Sequence, residues 1–427
     1  MLFVYLCSIF CPEMRCIFKQ IFFLLFPVCA VAQIMEEVNP PPHIKTVIFK
    51  GPTDDQFPVI TLNERIQLTF DDLSASEQDY YYKIIHCDYD WTPSQLLKSQ
   101  YLEGIDNQRI IDYGNSLTTL QPYSNYRLTI PNNEVSLSVT GNYVLEIYNA
   151  YNELQFSRRF VVYKNVVNVG GTVKRSRDFE YLNEKQVVQF SINTAGFPVV
   201  NPKQEIKVAL IQNYYWPTAL YNIKPQFTIG NELVYKYDQE TSFFGGNEFL
   251  NFDTKDLRSP TFAISKIEFR ELYHHYLFTN DFRTNDEYTY FPDINGDFVV
   301  RTLQGEDVAR ESEYAQVHFS LPYDPVLGLD DVYVFGKYNN YDLSEENKMV
   351  YNEETGNLEL QHLFKQGFYN YSYVVVQEDG TINLNAVSGN FHFTENNYLI
   401  LVYYRDFGEM YDSIIGIGTA NSRNISN

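Results

Sequence analysis

Residues 140–147 read Thr-Gly-Asn-Tyr-Val-Leu-Glu-Ile, and residues 156–163, after a polar turn, read Phe-Ser-Arg-Arg-Phe-Val-Val-Tyr. Aromatic and β-branched side chains dominate both runs, and such residues favour extended strands. Two strands of this kind, joined by a short turn, are typical of the last hairpin of an immunoglobulin-like sandwich. Tyr143 is either a tyrosine-corner residue, whose hydroxyl bonds the backbone upstream, or an ordinary core tyrosine.

The segment before this hairpin alternates between apolar and polar residues. Ile66 to Phe70 and Tyr126 to Ile130 each place apolar groups on one face, as half-buried strands do. Across the chain, 36 Tyr and 32 Phe stand against 5 Met, which favours strands over long amphipathic helices. Because 427 residues are too many for one ordinary sandwich, we predict an all-β protein of tandem immunoglobulin-like β-sandwich domains.

We expect three such domains after a short N-terminal segment. The first is predicted at residues 33–164 and the second at residues 165–306, where the polar, acidic run Gln304-Gly305-Glu306-Asp307 interrupts the strand pattern. The third, residues 307–427, has its strand-like runs in an order that resembles the early-set immunoglobulin-like modules, including the glycogen-binding type. Those modules stack sugars on a tryptophan, and Tyr341 stands at that position in this chain.

The N-terminal segment, residues 1–32, has the features of a secretory signal peptide. A positive region, an apolar run and a small-residue cleavage site follow one another there: Arg15 with Lys19, residues 21–26, and Ala30-Val31-Ala32. Cleavage leaves Gln33 as the first residue of an exported, periplasmic protein. A membrane anchor is the alternative, but the apolar run is shorter than the ~20 residues that a span needs. Met14 is an alternative start of the chain.

The cysteines support an exported chain without disulfides. Four of the five lie in the signal segment, which leaves Cys87 alone in the mature chain, so no intrachain disulfide is expected. Cys87 ends a strand-like run and is predicted to fill a core. Its neighbour His86 points to the opposite face of a strand, which is a poor arrangement for Cys–His catalysis.

The charge of the chain excludes some partners. The net charge of −22 repels phosphate backbones and anionic membrane surfaces. Nucleic acid is therefore not expected as a partner.

Several short segments between Leu68 and Asp324 carry a family resemblance when they are read in order. They are Leu68-Thr69-Phe70-Asp71-Asp72-Leu73, Asp79 to Asp88 with Asp90-Trp91, Tyr101-Leu102-Glu103-Gly104, Tyr126 to Asn132, Gly230 to Tyr235, Gly245 to Phe249, Asp293 to Gly296, and His318 to Asp324. Together they resemble the type IX secretion system plug protein family. The resemblance implies a periplasmic protein, peripheral to the outer membrane, that docks on the periplasmic mouth of a large outer-membrane β-barrel translocon subunit and closes its channel.

The sequence offers two other classes of function. A carbohydrate-binding or surface-adhesin protein is the alternative, because the third domain has a module-like pattern. An enzyme ranks third, because no arrangement of nucleophile, base and oxyanion donors can be named. The resemblance brings no catalytic residues.

The sequence offers no clear metal, cofactor or small-molecule site. His274 and His275 are adjacent on a strand-like run and point to opposite faces. The run Asp293-Ile294-Asn295-Gly296-Asp297 could suggest a calcium loop, but Asn-Gly is a favoured turn and the later ligands are missing. Asp71-Asp72 and Glu345-Glu346 are interpreted as solvated loop charge.

The aromatic surplus is the best lead to a contact surface. The 36 tyrosines exceed what cores usually need, and tyrosine is enriched at protein interfaces. Loop-like segments that carry aromatic residues are the candidate partner contacts: Phe243, Phe244, Tyr338 and Tyr341.

Overall fold

Strands dominate the computed structural model, which describes residues 33–53, 55–74, 76–328 and 330–425. The predicted signal peptide, residues 1–32, lies outside this part of the chain. From Met35 onward the chain forms one unit. The all-β prediction is confirmed.

The strands are numbered in chain order. They are β1 (Ile44–Lys50), β2 (Val59–Thr61), β3 (Ile66–Asp72), β4 (Tyr80–Cys87), β5 (Leu102–Gly104), β6 (Gln108–Arg109), β7 (Asp112–Asn115), β8 (Ser124–Ile130), β9 (Val135–Leu137), β10 (Gly141–Asn149), β11 (Leu154–Tyr163), β12 (Asn168–Arg175), β13 (Lys185–Asn193), β14 (Ile206–Gln212), β15 (Phe227–Ile229), β16 (Glu232–Tyr235), β17 (Ser242–Phe244), β18 (Leu250–Asp253), β19 (Ile264–Phe269), β20 (Tyr273–Leu277), β21 (Phe298–Val300), β22 (Tyr314–Pro322), β23 (Asp331–Phe335), β24 (Val350–Asn352), β25 (Asn357–Lys365), β26 (Gly367–Val376), β27 (Ile382–Asn383), β28 (Asn397–Tyr404) and β29 (Ser413–Asn421).

Helical segments in the described chain are one turn long. The α-helices are α1 (Lys98–Tyr101), α2 (Pro202–Glu205) and α3 (Val308–Glu311), and the 3-10 turns are Trp216–Thr218, Pro325–Leu327, Lys337–Asn339, Glu345–Asn347 and Ser422–Asn424.

The first sandwich contains β1 to β11. One sheet has the order β1-β3-β8-β7, the other has the order β2-β11-β10-β4-β6, and β5 pairs with β9. Alternation along β3 buries Leu68 and Phe70 between the sheets, as the sequence predicts. Tyr143 on β10 is fully buried, and its hydroxyl donates to the carbonyl oxygen of Val139 at 2.8 Å. This upstream bond is the one that distinguishes a tyrosine corner from an ordinary core tyrosine.

The second sandwich is built from two separate stretches of chain. One sheet has the order β12-β13-β16-β15, with β17 also paired to β13, and the other has the order β14-β28-β29. Strand β14 pairs with β28 from Ile206 opposite Tyr404 to Gln212 opposite Tyr398. The C-terminal strands therefore complete this sandwich.

The third sandwich lies in the chain between those two stretches. Its first sheet is centred on β26, which pairs with β18, β21, β23 and β27, and its second sheet has the order β19-β20-β22-β25-β24. Aromatic rings fill its core, where Phe252 stacks on Tyr369 with ring centroids 5.2 Å apart.

This arrangement differs from the linear division expected from the sequence. The expected boundary at residue 306 falls between β21 and β22, and both strands belong to the third sandwich. Strand β28, expected in the last domain, pairs with β14 instead, and β29 pairs with β28 in the same sheet. A polar run shows where a strand ends, whereas sheet membership depends on pairing between residues about two hundred positions apart in sequence.

An apolar junction joins the first and second sandwiches. It consists of Trp91, Val144 and Val161 from the first sandwich, packed against Ile211, Trp216 and Leu401 from the second. The two tryptophan rings meet edge to face at 4.7 Å between centroids. Strands β10 and β11 therefore bury both of their faces, one in the sandwich core and one in this junction.

A polar junction joins the first and third sandwiches. It consists of Asp71 and Tyr123 from the first sandwich, and Tyr314 and Lys365 from the third. The Lys365 ammonium lies 2.7 Å from the Asp71 carboxylate, and both side chains are almost completely buried. Gln56 adds a second link, because its side-chain amide donates to the Asp297 carboxylate at 2.8 Å.

Candidate functional site

Three of the four predicted contact residues line one cleft. Phe243, Phe244 and Tyr341 border a cleft of ≈ 670 Å³ at the meeting of the second and third sandwiches. Strand β17 carries the two phenylalanines, and the segment after the 3-10 turn Lys337–Asn339 carries Tyr341. Tyr338 does not line this cleft.

Phe243 and Phe244 point in opposite directions, because neighbouring strand residues alternate in direction. The Phe243 ring packs on Tyr398 at 5.3 Å and is only 6% exposed. It fills the core of the second sandwich, so its position differs from the exposed loop that the sequence suggests. Phe244 is 41% exposed, and the Lys185 ammonium lies 4.5 Å from the centre of its ring.

The two tyrosines also have packing roles. Tyr341 contacts Tyr215 at 4.6 Å and Phe335 at 5.3 Å between ring centroids, which ties the third sandwich to the second. Burial raises the pKa of both Tyr338 and Tyr341. Tyr338 lies against Phe364 at 4.7 Å, and its hydroxyl donates to the Val334 carbonyl oxygen at 3.2 Å.

The lining of the cleft beside Phe243, Phe244 and Tyr341 is almost uncharged. Only Glu184 and Lys185 carry charge among its described lining residues, although the chain as a whole is strongly acidic. The rest are mainly aromatic rings and side-chain amides, and two of the amides, Gln212 and Asn247, donate to the carbonyl oxygens of Phe244 and Ser388. The cleft can therefore contact an uncharged polar surface.

Asp71 and Asp72 are not the solvated loop charges that the sequence suggests. Both lie at the end of β3 with no exposed surface. Asp71 accepts hydrogen bonds from Asn125 and Tyr314, each at 2.7 Å, besides pairing with Lys365. Burial lowers the pKa of Lys365, while the adjacent Asp71 carboxylate raises it. Asp71 is thus a hydrogen-bonded and ion-paired member of the polar junction.

Cys87 and His86 are buried on opposite faces of β4, as predicted. Cys87 lies in the apolar junction, and burial raises the pKa of its thiol to about 12. His86 lies beside Tyr143, and burial lowers its pKa to about 4. A neutral thiol on the far side of the strand from a neutral imidazole cannot act as a catalytic pair.

The other polar motifs also have structural roles. Nδ1 of His274 lies 2.9 Å from Nε2 of His318, a residue brought close by the pairing of β20 with β22. In the described residues, no group of three or more His, Cys, Asp or Glu side chains is placed to hold a metal ion. Asn295 and Gly296 both have positive φ values, 52° and 80°, as a tight Asn-Gly turn requires.

An exposed aromatic surface was missed by the sequence analysis. We call it the aromatic patch, and it consists of Phe262, Phe278, Tyr290, Phe291 and Phe393, each 53–67% exposed. The stretch 278–297, between β20 and β21, carries three of these residues and contains no strand or helix. A long irregular stretch rich in aromatic residues is the signal that could have found it.

The fold and these surfaces define a class of protein: a set of packed β-sandwiches with exposed aromatic rings on the surface. Residues 44–164 match the sequence model of the type 9 secretion system plug protein 1st domain. The chain belongs to the type IX secretion system plug protein family.

A solved structure supports the fold over nearly the whole chain. The crystal structure of a hypothetical protein from Parabacteroides merdae is 33% identical in sequence and gives a TM-score of 0.86. The similarity covers 91% of this chain and 100% of that one. No curated protein matches the chain.

Membership of the family indicates a role related to type IX secretion, in association with the secretion system. Among the described residues, no helix combines the length and apolar character needed to cross a membrane.

Proposed function

We propose that this protein is the periplasmic plug subunit of the type IX secretion system. It binds the periplasmic mouth of the large outer-membrane β-barrel translocon subunit and closes the channel, and it is not an enzyme. The observation that carries this proposal is the family match over the first sandwich, residues 44–164.

The packing of the sandwiches supports a role as a stopper. A body that closes a pore must keep its shape, and hinge motion between domains is the normal expectation unless their interface is large and apolar. Here the apolar junction buries two tryptophans and several aliphatic residues between the first and second sandwiches. The chain also crosses between the second and third sandwiches twice. The strands of the third sandwich come, in sequence, between β17 and β28, which both belong to the second.

The predicted signal segment supports a periplasmic location. It contains a positive region, an apolar run and a cleavage site in the expected order. The mature chain then reaches the inner side of the outer membrane, where the mouth of the barrel lies.

Deletion of the gene tests channel closure directly. We expect the outer membrane to become permeable to large hydrophilic solutes, and the full-length protein supplied in trans to restore the barrier. The wild-type protein should also co-purify with the barrel from gently solubilised outer membranes. Unchanged permeability together with no association would overturn the proposal.

A further inference from the structure

The aromatic patch is exposed, and hydrogen bonds hold the stretch 278–297, which carries three of its rings. We propose that it is the face through which the plug docks on the barrel subunit, against a surface with an apolar side chain surrounded by lysine and arginine residues. This inference rests on the proposed function, because it names the docking face of the plug.

Ring contacts join two members of the patch to each other and a third to the neighbouring Tyr288. Phe262 and Phe291 have centroids 6.3 Å apart. Tyr288 lies 5.9 Å from Phe393, which extends the surface toward the start of β28. Exposed aromatic rings that form a continuous surface mark interaction sites, and aromatic residues contribute much of the binding energy at interfaces.

A pocket lies among three of the rings. Phe262, Phe278 and Phe291 border a space of ≈ 350 Å³, with Tyr371 and Asn280 also in its lining. An apolar side chain of a partner can enter this space and be removed from water on several sides. Such a central, well-packed anchor is the usual form of a binding hot spot.

The stretch 278–297 is fixed to the body of the third sandwich. The side-chain oxygen of Asn280 accepts hydrogen bonds from the hydroxyls of Tyr371 and Tyr373, at 2.8 and 2.7 Å. Further along, the backbone N–H of Arg283 donates to the Val387 carbonyl oxygen at 2.8 Å, and Asn370 accepts from the backbone N–H of Ile294 at 2.7 Å. The exposed rings are therefore held in place before binding, which reduces the entropy lost on association.

The charge around the pocket selects the partner. Asp286 and Glu287 lie in the pocket lining, and Arg283 is the one basic residue there. Asp281 in the same stretch is exposed as well, so the exposed acidic side chains near the pocket outnumber its single basic one. A basic rim on the partner complements this charge and accelerates association.

The same charge disfavours two other occupants. A second copy of the chain would bring another net charge of −22 against the patch. An anionic lipid surface would be repelled in the same way.

The test measures binding of the full mature chain to the solubilised barrel. We expect the double variant Phe262→Ser with Phe291→Ser to bind about 10-fold more weakly or worse, as loss of hot-spot residues implies. Phe407→Ser and Phe179→Ser are matched controls, because both rings are almost fully exposed and lie outside the patch. They should bind like the wild type.

A second pair of substitutions tests the charge. Asp286→Asn with Glu287→Gln should slow association and reduce its dependence on salt, while the aromatic rings stay intact. All the changed residues are outside the sandwich cores, so circular dichroism and thermal melting should match the wild type.

The possible outcomes separate this inference from the proposed function. If the wild-type chain does not bind the barrel, the proposed function and the docking face both fail. If the wild type binds and the double variant binds equally well, only the docking face is overturned. The double variant could instead keep barrel binding and lose either self-association or flotation with phosphatidylethanolamine vesicles. In that case the patch binds a second copy of the chain or a lipid surface, and the proposal is wrong.

Discussion

The first sandwich contacts its two neighbours through junctions of opposite chemistry. Toward the second sandwich it presents Trp91, Val144 and Val161, which pack on apolar partners. Toward the third it presents Asp71, which pairs with Lys365 in a site that excludes water. Apolar contacts tolerate small shifts, whereas a buried ion pair is favourable in one geometry only and is strongly destabilising when one partner is removed.

This difference assigns separate tasks to the two junctions. Burial of apolar surface holds the first and second sandwiches together. The polar junction sets the orientation of the third sandwich, which carries most of the aromatic patch. The following predictions test that division, beginning with the largest expected effect.

Removal of the charge partner should break the polar junction. We expect Lys365→Met to lower the free energy of unfolding by about 3–5 kcal/mol, because the Asp71 carboxylate remains buried without its counter-charge. Denaturant unfolding of the variant measures this loss.

The control for this variant is an exposed pair of the same chemistry. Lys348 pairs with Asp331 at 2.7 Å on the surface, so Lys348→Met should cost less than about 1 kcal/mol. Equal losses at the two lysines would contradict the special role of the polar junction. The addition of Asp71→Asn to Lys365→Met should recover part of the stability, since it removes the unpaired charge.

Truncation of a side chain in the apolar junction should have a similar or slightly smaller effect. Leu401 is fully buried there, and Leu401→Ala should cost about 2–5 kcal/mol through lost burial and the cavity left behind. Ile111→Ala, at a side chain that is 81% exposed, serves as the control and should change stability by less than about 0.5 kcal/mol. A loss at Leu401 no greater than this would show that the junction is not well packed.

The pH dependence of stability should reveal the buried carboxylate of Asp293. This residue lies shortly before Asp297, which accepts the hydrogen bond from Gln56. Burial raises the pKa of Asp293, hydrogen bonds from the backbone of Asn295 and Phe249 lower it, and the nearby Glu248 and Glu395 raise it; together they bring it from 3.8 to about 7. Because the folded state then binds more protons than the unfolded state, stability should fall as pH rises from about 4 to about 7.

Asp293→Asn should remove this slope, a change of about 3 kcal/mol across the interval. The measured quantity is the slope of the free energy of unfolding against pH. The free energy at a single pH is not used, because the substitution also alters the hydrogen bond from the backbone N–H of Phe249. Asp379→Asn is the control: its pKa is lowered by hydrogen bonds to Thr381, so its effect lies below pH 4. Identical slopes in the wild type and Asp293→Asn would show that Asp293 titrates as an exposed group.

The smallest effect is expected at the tyrosine corner. Tyr143→Phe removes the hydroxyl that donates to Val139 and should cost about 1 kcal/mol. Tyr151→Phe, at an 84% exposed ring, should leave the melting temperature unchanged. No difference between the two variants would mean that the Val139 carbonyl finds a replacement partner.

Local patterns predicted the strands and several individual residues. The alternation of Ile66 to Phe70, the hairpin after Gly141 and the opposite directions of His86 and Cys87 all appear in the structure. Each depends on neighbours a few positions apart, where the period of a strand decides which face a side chain occupies.

The candidate contact surface was predicted less well. Of the four residues chosen, Phe244 is the one that is exposed, while Phe243 and Tyr338 pack inside sandwiches. An aromatic residue in a loop-like segment can face either way, and the sequence alone does not show what packs above it. The aromatic patch combines Phe262, residues of the stretch 278–297 and Phe393, and the contacts of Phe262 with Phe291 and of Phe393 with Tyr288 form only in the folded chain.

The sequence by itself determined the all-β class, the family and the strands, because strand propensity, alternation and ordered segments are local properties of the chain. The tertiary structure alone decided that β28 and β29 complete the second sandwich, that Asp71 pairs with Lys365, and that Phe262 lies beside Phe291. These features depend on contacts between distant residues. Such contacts form when buried surface and satisfied polar groups outweigh the entropy of closing long loops, and no local pattern records that balance.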